Sequence, residues 1–131
     1  GLGDLFAEAV RLDQQEIAPE KVEKARRKPL RAPVIIAALV SLKKHPKVPE
    51  IEQYLSAGAA VQNMLVAAHA VGLGAMWRTG GMAYHSHVEK GLGVGGNEKI
   101  IGYLYVGRVE GRSRTLPNLA VQDYFDIWEP E

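Results

Sequence analysis

The stretch PEIEQYLSAGAAVQNMLVAAHAV, Pro49 to Val71, decides how the rest of the chain is read. Glu50 and Glu52 in its first turn complement the positive end of a helix dipole, and Gly72 and Gly74 stop the pattern at the other end. After Tyr54 it is apolar nearly all round, interrupted only by Ser56, Gln62, Asn63 and His69, so it predicts a long helix that lies inside an assembly. The patch Ser56-Ala57-Gly58-Ala59-Ala60 has almost no side-chain bulk and lets another backbone come close. A glycine inside a helix costs about 1 kcal/mol relative to alanine, so packing or a ligand is expected to compensate Gly58. His69 on this apolar helix reads as a satisfied buried histidine.

Strands flank this helix. Upstream, Pro33 opens the run Val34-Ile35-Ile36-Ala37-Ala38-Leu39-Val40, a strand buried on both faces. Ser41 to Pro49 is a polar loop. Downstream, Gly74-Ala75-Met76-Trp77 is a short extended segment, and Lys99 to Val106 is a second strong strand. Between them, Ser86 with Glu89 forms a capping box that opens a brief helix. At the start of the chain Leu2, Leu5, Phe6, Ala9 and Val10 share one helix face, with Asp4 as cap. Pro19 opens a second helix, which Pro29 must stop. The charges from Glu20 to Lys28 alternate in sign and read as a solvated face. The tail from Gly107 to Glu131 is irregular and ends in the aromatics Tyr124, Phe125 and Trp128. The element order predicts one α+β layered domain over residues 1–131.

Composition removes several functions. Sixteen Lys+Arg face fifteen Asp+Glu, a balance that gives no nucleic-acid footprint. Cysteine is absent, so neither a disulfide framework nor a thiolate site exists. No apolar run is long enough to span a membrane, and no signal-peptide pattern opens the sequence, so a cytoplasmic location is expected. Gly91-Leu92-Gly93-Val94-Gly95-Gly96 precedes a strand instead of opening a helix, which makes it a turn and not a phosphate loop. His85 and His87 lack a third ligand at suitable spacing and read as solvent-exposed. No Ser-His-Asp arrangement is present.

Trp77-Arg78-Thr79-Gly80-Gly81 remains. Glycines let main-chain N–H groups approach a planar ligand, Arg donates to anionic or carbonyl oxygens, and Trp packs against a ring. By chemistry alone the segment serves equally as a ligand site or as a tight turn beside a core tryptophan.

The ordered set of motifs is more specific than any one of them. Arg31-Ala32-Pro33, Lys47-Val48-Pro49, Glu52-Gln53, Ser56 through Met64, Ala67-Ala68, Gly72-Leu73-Gly74, Trp77-Arg78-Thr79-Gly80 and Lys99 through Gly107 together resemble the flavin (FMN-dependent) nitroreductase family, closest to its compact bacterial branch. The resemblance runs from about Phe6 to Gly107. It implies a nitroreductase-like sandwich with a mixed β-sheet flanked by helices and the long helix at a homodimer interface. It implies FMN as cofactor, NAD(P)H as reductant and a small-molecule nitroaromatic or quinone acceptor, in a ping-pong cycle. Trp77, Arg78 and Thr79 match the family's FMN segment. Ala67, Ala68, His69, Ala70, Val71 and Gly72 match a nicotinamide-nucleotide stretch. The family's N-terminal helix, whose Arg-Arg-Ser-type motif grips the FMN phosphate, has no counterpart here. Because the sequence starts inside a helical pattern, residues upstream of Gly1 are expected; a true truncation would lose those phosphate anchors. A non-catalytic dimeric ligand-binding or structural module on the same fold is the second reading.

Overall fold

The computed structural model describes residues 1–111 and 115–130. A three-stranded sheet in the order β1-β3-β2, with β1 Val34–Ser41, β2 Gly74–Arg78 and β3 Glu98–Gly107, forms the middle layer. Both pairings are antiparallel, so within this chain the sheet expected to be mixed is antiparallel. Helices α1 Leu2–Asp13, α2 Pro19–Arg27 and α4 Ser86–Gly91 belong to one layer, and α3 Glu50–Ala70 crosses the opposite face. The expected α+β order is therefore observed element by element.

The core lies between the sheet and the α1 layer. Phe6, Ala9, Ala25, Val88, Ile100 and Tyr103 are buried together, and Ile35, Ala37 and Tyr105 pack against them from the strands. Phe6 meets Tyr103 edge-on, with ring centroids 5.5 Å apart. Asp4, in the first turn of α1, pairs with Arg26 at the end of α2 and ties the two helices together. Pro19 is the first residue of α2, and a 3-10 segment, Lys28–Arg31, carries the chain from that helix into β1.

β1 is not buried on both faces as its apolar run predicted. It is an edge strand, and Val34, Ile36 and Leu39 are exposed while Ile35 and Ala37 face the core. In the single chain α3 buries only Val61 completely, and Ile51, Leu55, Val66 and His69 are exposed; its expected place inside an assembly concerns surfaces that only a second chain could cover. One domain has enough sheet to cover one side of such a helix and no second layer for the other. Gln53 anchors the loop between β1 and α3: its side chain accepts from the Lys43 N–H and donates to the Lys43 carbonyl, both at 2.9 Å.

The cap of α4 is His85, not Ser86. The His85 ring Nδ1 accepts from the His87 N–H at 3.1 Å, and Ser86 is already the first helical residue. The two histidines are also not solvent-facing ornaments. His85 lies 3.2 Å from Asp13 and His87 lies 2.8 Å from Glu8, so both pair with carboxylates of α1. The glycine-rich segment from Gly91 is the turn between α4 and β3, as expected. Among its described residues the tail carries only a 3-10 turn at Val121–Asp123, and Tyr124, Phe125 and Trp128 are exposed; residues 112–114 and 131 lie outside the described residues.

Candidate active site

The site is built where β2 ends. β3 carries a bulge: Ala38 pairs with Gly102 and Leu39 with Ile100, which leaves Ile101 without a partner. Trp77 on the neighbouring strand donates its indole N–H to the Ile101 carbonyl at 3.1 Å. Gly102 makes this possible, because a Cβ there would sit 2.0 Å from the Trp77 indole nitrogen. The ring also reaches α3, where a Cβ on Gly58 would meet it at an ordinary 3.6 Å. Trp77 is thus a packing residue between the sheet and α3.

Strand alternation sends Met76 and Arg78 to the other face, alongside Tyr105 and Tyr103, their register partners on β3. A cleft of about 1040 Å³ opens there. Its walls come from the end of the 3-10 segment (Lys28, Arg31), from β2 and the turn after it (Met76 through Met82), and from the exit of β3 (Gly107, Arg108). Thr79 and Gly80 lie on the rim, and Gly80 has a φ of 74°, which permits the sharp turn away from the strand. Arg78 and Thr79 therefore do line a ligand-sized space, as does part of the Trp77 residue. Ala67, Ala68, His69, Ala70, Val71 and Gly72 do not: they sit at the end of α3 and beyond it, outside the cleft lining.

Two phenols mark the cleft floor. The Tyr103 hydroxyl donates to the Met82 carbonyl at 3.1 Å. Burial, with smaller contributions from Tyr105 and Glu89, pushes its pKa up to about 12. Burial also raises Tyr105, while the guanidiniums of Arg31 and Arg78 pull it back down. Both cations are thus within electrostatic reach of one hydroxyl. Sequence reading missed Lys28, Arg31, Arg108 and Tyr105 as cleft residues. Arg31 lay in a quoted motif, but nothing in linear order brings it to Arg78. Among the described residues no group of three or more His, Cys, Asp or Glu side chains is placed to hold a metal ion.

Residues 2–108 match the sequence profile of the Nitroreductase family. The chain belongs to the nitroreductase family. It is 39% identical over 98 residues to the Escherichia coli K12 protein named "Putative NAD(P)H nitroreductase YdjA", an alignment covering 75% of this chain and 54% of that protein. The chain spans about half the length of the curated relatives it matches. Solved nitroreductase structures share its fold. A nitroreductase-like family protein from Bacillus cereus superposes with a TM-score of 0.74 at 21% identity, covering 98% of this chain and 67% of that one. A Desulfovibrio desulfuricans protein described as "a putative nitroreductase in complex with fmn" superposes with a TM-score of 0.64 at 23% identity, covering 98% and 67%. The nitroreductase reading made from motifs and the α+β architecture therefore stand.

Proposed function

We propose that this nitroreductase chain is the flavin-contacting portion of an FMN-dependent NAD(P)H oxidoreductase that reduces nitroaromatic or quinone-type acceptors in a ping-pong cycle. The observation that carries the reading is the cleft at the end of β2, lined by Arg78, Thr79 and Gly80 in a chain whose family match runs through that segment. The residues present fit the cofactor. The cleft offers an apolar floor at Phe6, Met76 and Met82, a turn of glycines with no side chains to obstruct a ring edge, and cations for a phosphate. FMN, when bound, supplies the two-electron chemistry. The protein's part is placement.

Each segment then has a task. The main-chain N–H of Thr79 or Gly80 donates to the ring edge, at the nitrogen where charge builds on reduction. Arg78 offers a fixed fork of donors to anionic or carbonyl oxygens from the same face. Trp77 holds the strand end in place through Ile101 and α3 rather than touching the ring. Ala67 to Gly72 keep the role that the family resemblance implies, contact with the nicotinamide nucleotide, outside this cleft.

Homodimerisation through α3 belongs to the same proposal. Ile51, Leu55 and Val66 fall on one side of the helix and are exposed, an apolar surface that a second copy would cover. The protein expressed from its complete reading frame tests the reading. A yellow protein whose visible absorbance is bleached by NADH or NADPH supports it. A colourless protein that ignores added FMN favours the non-catalytic module instead.

A further inference from the structure

Outside the cleft, two histidines of the α4 segment meet two carboxylates of α1. His85 Nε2 lies 3.2 Å from Asp13 Oδ1, and His87 Nε2 lies 2.8 Å from Glu8 Oε2. The His85 ring is engaged at both nitrogens, because its Nδ1 also accepts from the His87 main-chain N–H at 3.1 Å and so caps α4. A main-chain N–H can only donate, so this Nδ1 carries a lone pair and the ring's single proton sits on Nε2, directed at Asp13. Asp13 accepts that hydrogen bond whether the ring is neutral or charged. It therefore holds the ring in place while protonation turns Nδ1 from acceptor to donor. Two N–H groups then face each other, and the first turn of α4 loses its cap. His87 responds in the opposite sense, since its charged form tightens the contact with Glu8. The other charges around the pair are engaged elsewhere or open to solvent. From β3, Lys99 pairs with Glu89 of α4 and the Tyr103 hydroxyl bonds the Met82 carbonyl. On α1, Asp4 pairs with Arg26 and Arg11 is exposed. Lys90, on α4 itself, is bonded to neither ring, and the 3-10 turn Gly81–Ala83 has no titratable side chain.

This cap reaches the cleft. One residue, Tyr84, separates His85 from the turn Gly81–Ala83, and Gly81 and Met82 line the cleft wall. We propose that His85 is a protonation-sensitive latch on that wall: the neutral ring caps α4 and fixes the turn, and the charged ring releases both. The latch is closed at higher pH and opens as pH falls through the imidazole range, roughly pH 8 to 5. The release is local, because Val88 stays buried in the core and the His87–Glu8 contact keeps α4 on α1. It goes beyond the flavin reading and holds whatever the cleft binds.

The test is NMR over roughly pH 8 to 5 on protein expressed from its complete reading frame, with no ligand added. Three signals are followed: the ring nitrogens of His85, solvent exchange of the residue 87 amide corrected for the intrinsic effect of pH, and the methyl of Met82, one of 3 methionines. In the wild type the neutral His85 ring should carry its proton on Nε2. Protection of the amide should fall about fivefold as the ring charges, the worth of one N-cap, and the Met82 methyl should shift over the same range. His85→Asn keeps a side-chain acceptor at the N-cap and does not titrate, so both responses should vanish while protection stays high. His87→Gln removes the second imidazole and should leave the Met82 response intact. A neutral His85 ring protonated on Nδ1, which needs no variant to observe, would overturn the proposal. So would an amide and a methyl that ignore pH in the wild type, or a response that survives His85→Asn or is lost in His87→Gln.

Discussion

The indole N–H of Trp77 donates to the carbonyl of Ile101, the residue that the bulge in β3 leaves without a partner on β1. One side chain thereby satisfies the acceptor at the irregularity, fills the gap above Gly102 and props α3 off the sheet. The strand end that carries Arg78 and Thr79 is held by this contact. Removing the donor in Trp77→Phe should cost about 1–3 kcal/mol, the penalty for a lost bond that strands a carbonyl. Denaturant unfolding of the variant measures it, and a midpoint equal to wild type would show the bond to be incidental.

The two glycines around that ring should respond with opposite signs. At Gly102 a methyl would sit 2.0 Å from the indole nitrogen and 3.0 Å from the Arg78 carbonyl, so Gly102→Ala must displace the ring or the strand. A loss of about 1–3 kcal/mol is expected, as for other overpacked sites. At Gly58 the methyl meets the ring at 3.6 Å, ordinary contact, and alanine is the better helix former. Gly58→Ala should therefore be neutral or stabilising by up to about 1 kcal/mol. Thermal melts of the two variants separate the cases.

This pair also marks where the sequence stops being legible. The strands, the long helix and the order of elements follow from local periodicity, and all appear where the apolar patterns put them. Which way Trp77 faces does not follow, because it depends on the pleat of β2 and on a bulge across the sheet at Ile101. The cations of the cleft are hidden for a related reason. Lys28 closes a run whose alternating charges look like a solvated helix face, and Glu23 to Arg27 behave so, bonded at 2.8 Å in the open. Only the antiparallel return of β3 brings Arg108 near Arg31, and only β2 beside it brings Arg78. Burial of β1 was misjudged because an apolar run reports what needs covering, not whether the same chain covers it.

Tyr103 gives a pH signature. Its folded pKa, about 12, lies above the usual phenol value of 10.0, so the protonated phenol is favoured by folding. The contribution is fully present below pH 10 and is lost as pH rises toward 12, because the unfolded chain gives up the proton first. Stability should decline across that window, and Tyr103→Phe should flatten the decline. At neutral pH the same variant forfeits the bond to the Met82 carbonyl, a cost of about 1 kcal/mol. An identical slope in wild type and variant would assign the alkaline loss to other groups.

Assembly can be tested on α3 without touching Trp77. Leu55 and Val66 are 66% and 58% exposed in the single chain, so charging them costs little unless a second copy covers them. In the proposed dimer, Leu55→Asp with Val66→Asp should produce a folded monomer in sedimentation at micromolar concentration. Deleting residues from Leu119 onward should weaken association if the exposed Tyr124, Phe125 and Trp128 lie across the partner. A wild-type protein that is already monomeric contradicts both expectations.

FMN affinity measured by fluorescence across three substitutions decides whether the turn after Trp77 holds FMN through its main chain. On protein expressed from the complete reading frame, Thr79→Ala should keep FMN bound, because the N–H donor survives. Thr79→Pro removes that donor and fixes φ; it should slow NAD(P)H-driven flavin bleaching by a factor approaching the roughly 10²–10³ that one preorganised donor is worth elsewhere. Arg78→Ala should raise the FMN dissociation constant if the guanidinium meets the cofactor. If Ala and Pro at position 79 behave alike and Arg78→Ala leaves affinity unchanged, the segment is a turn beside a buried tryptophan and the cleft is not the flavin site.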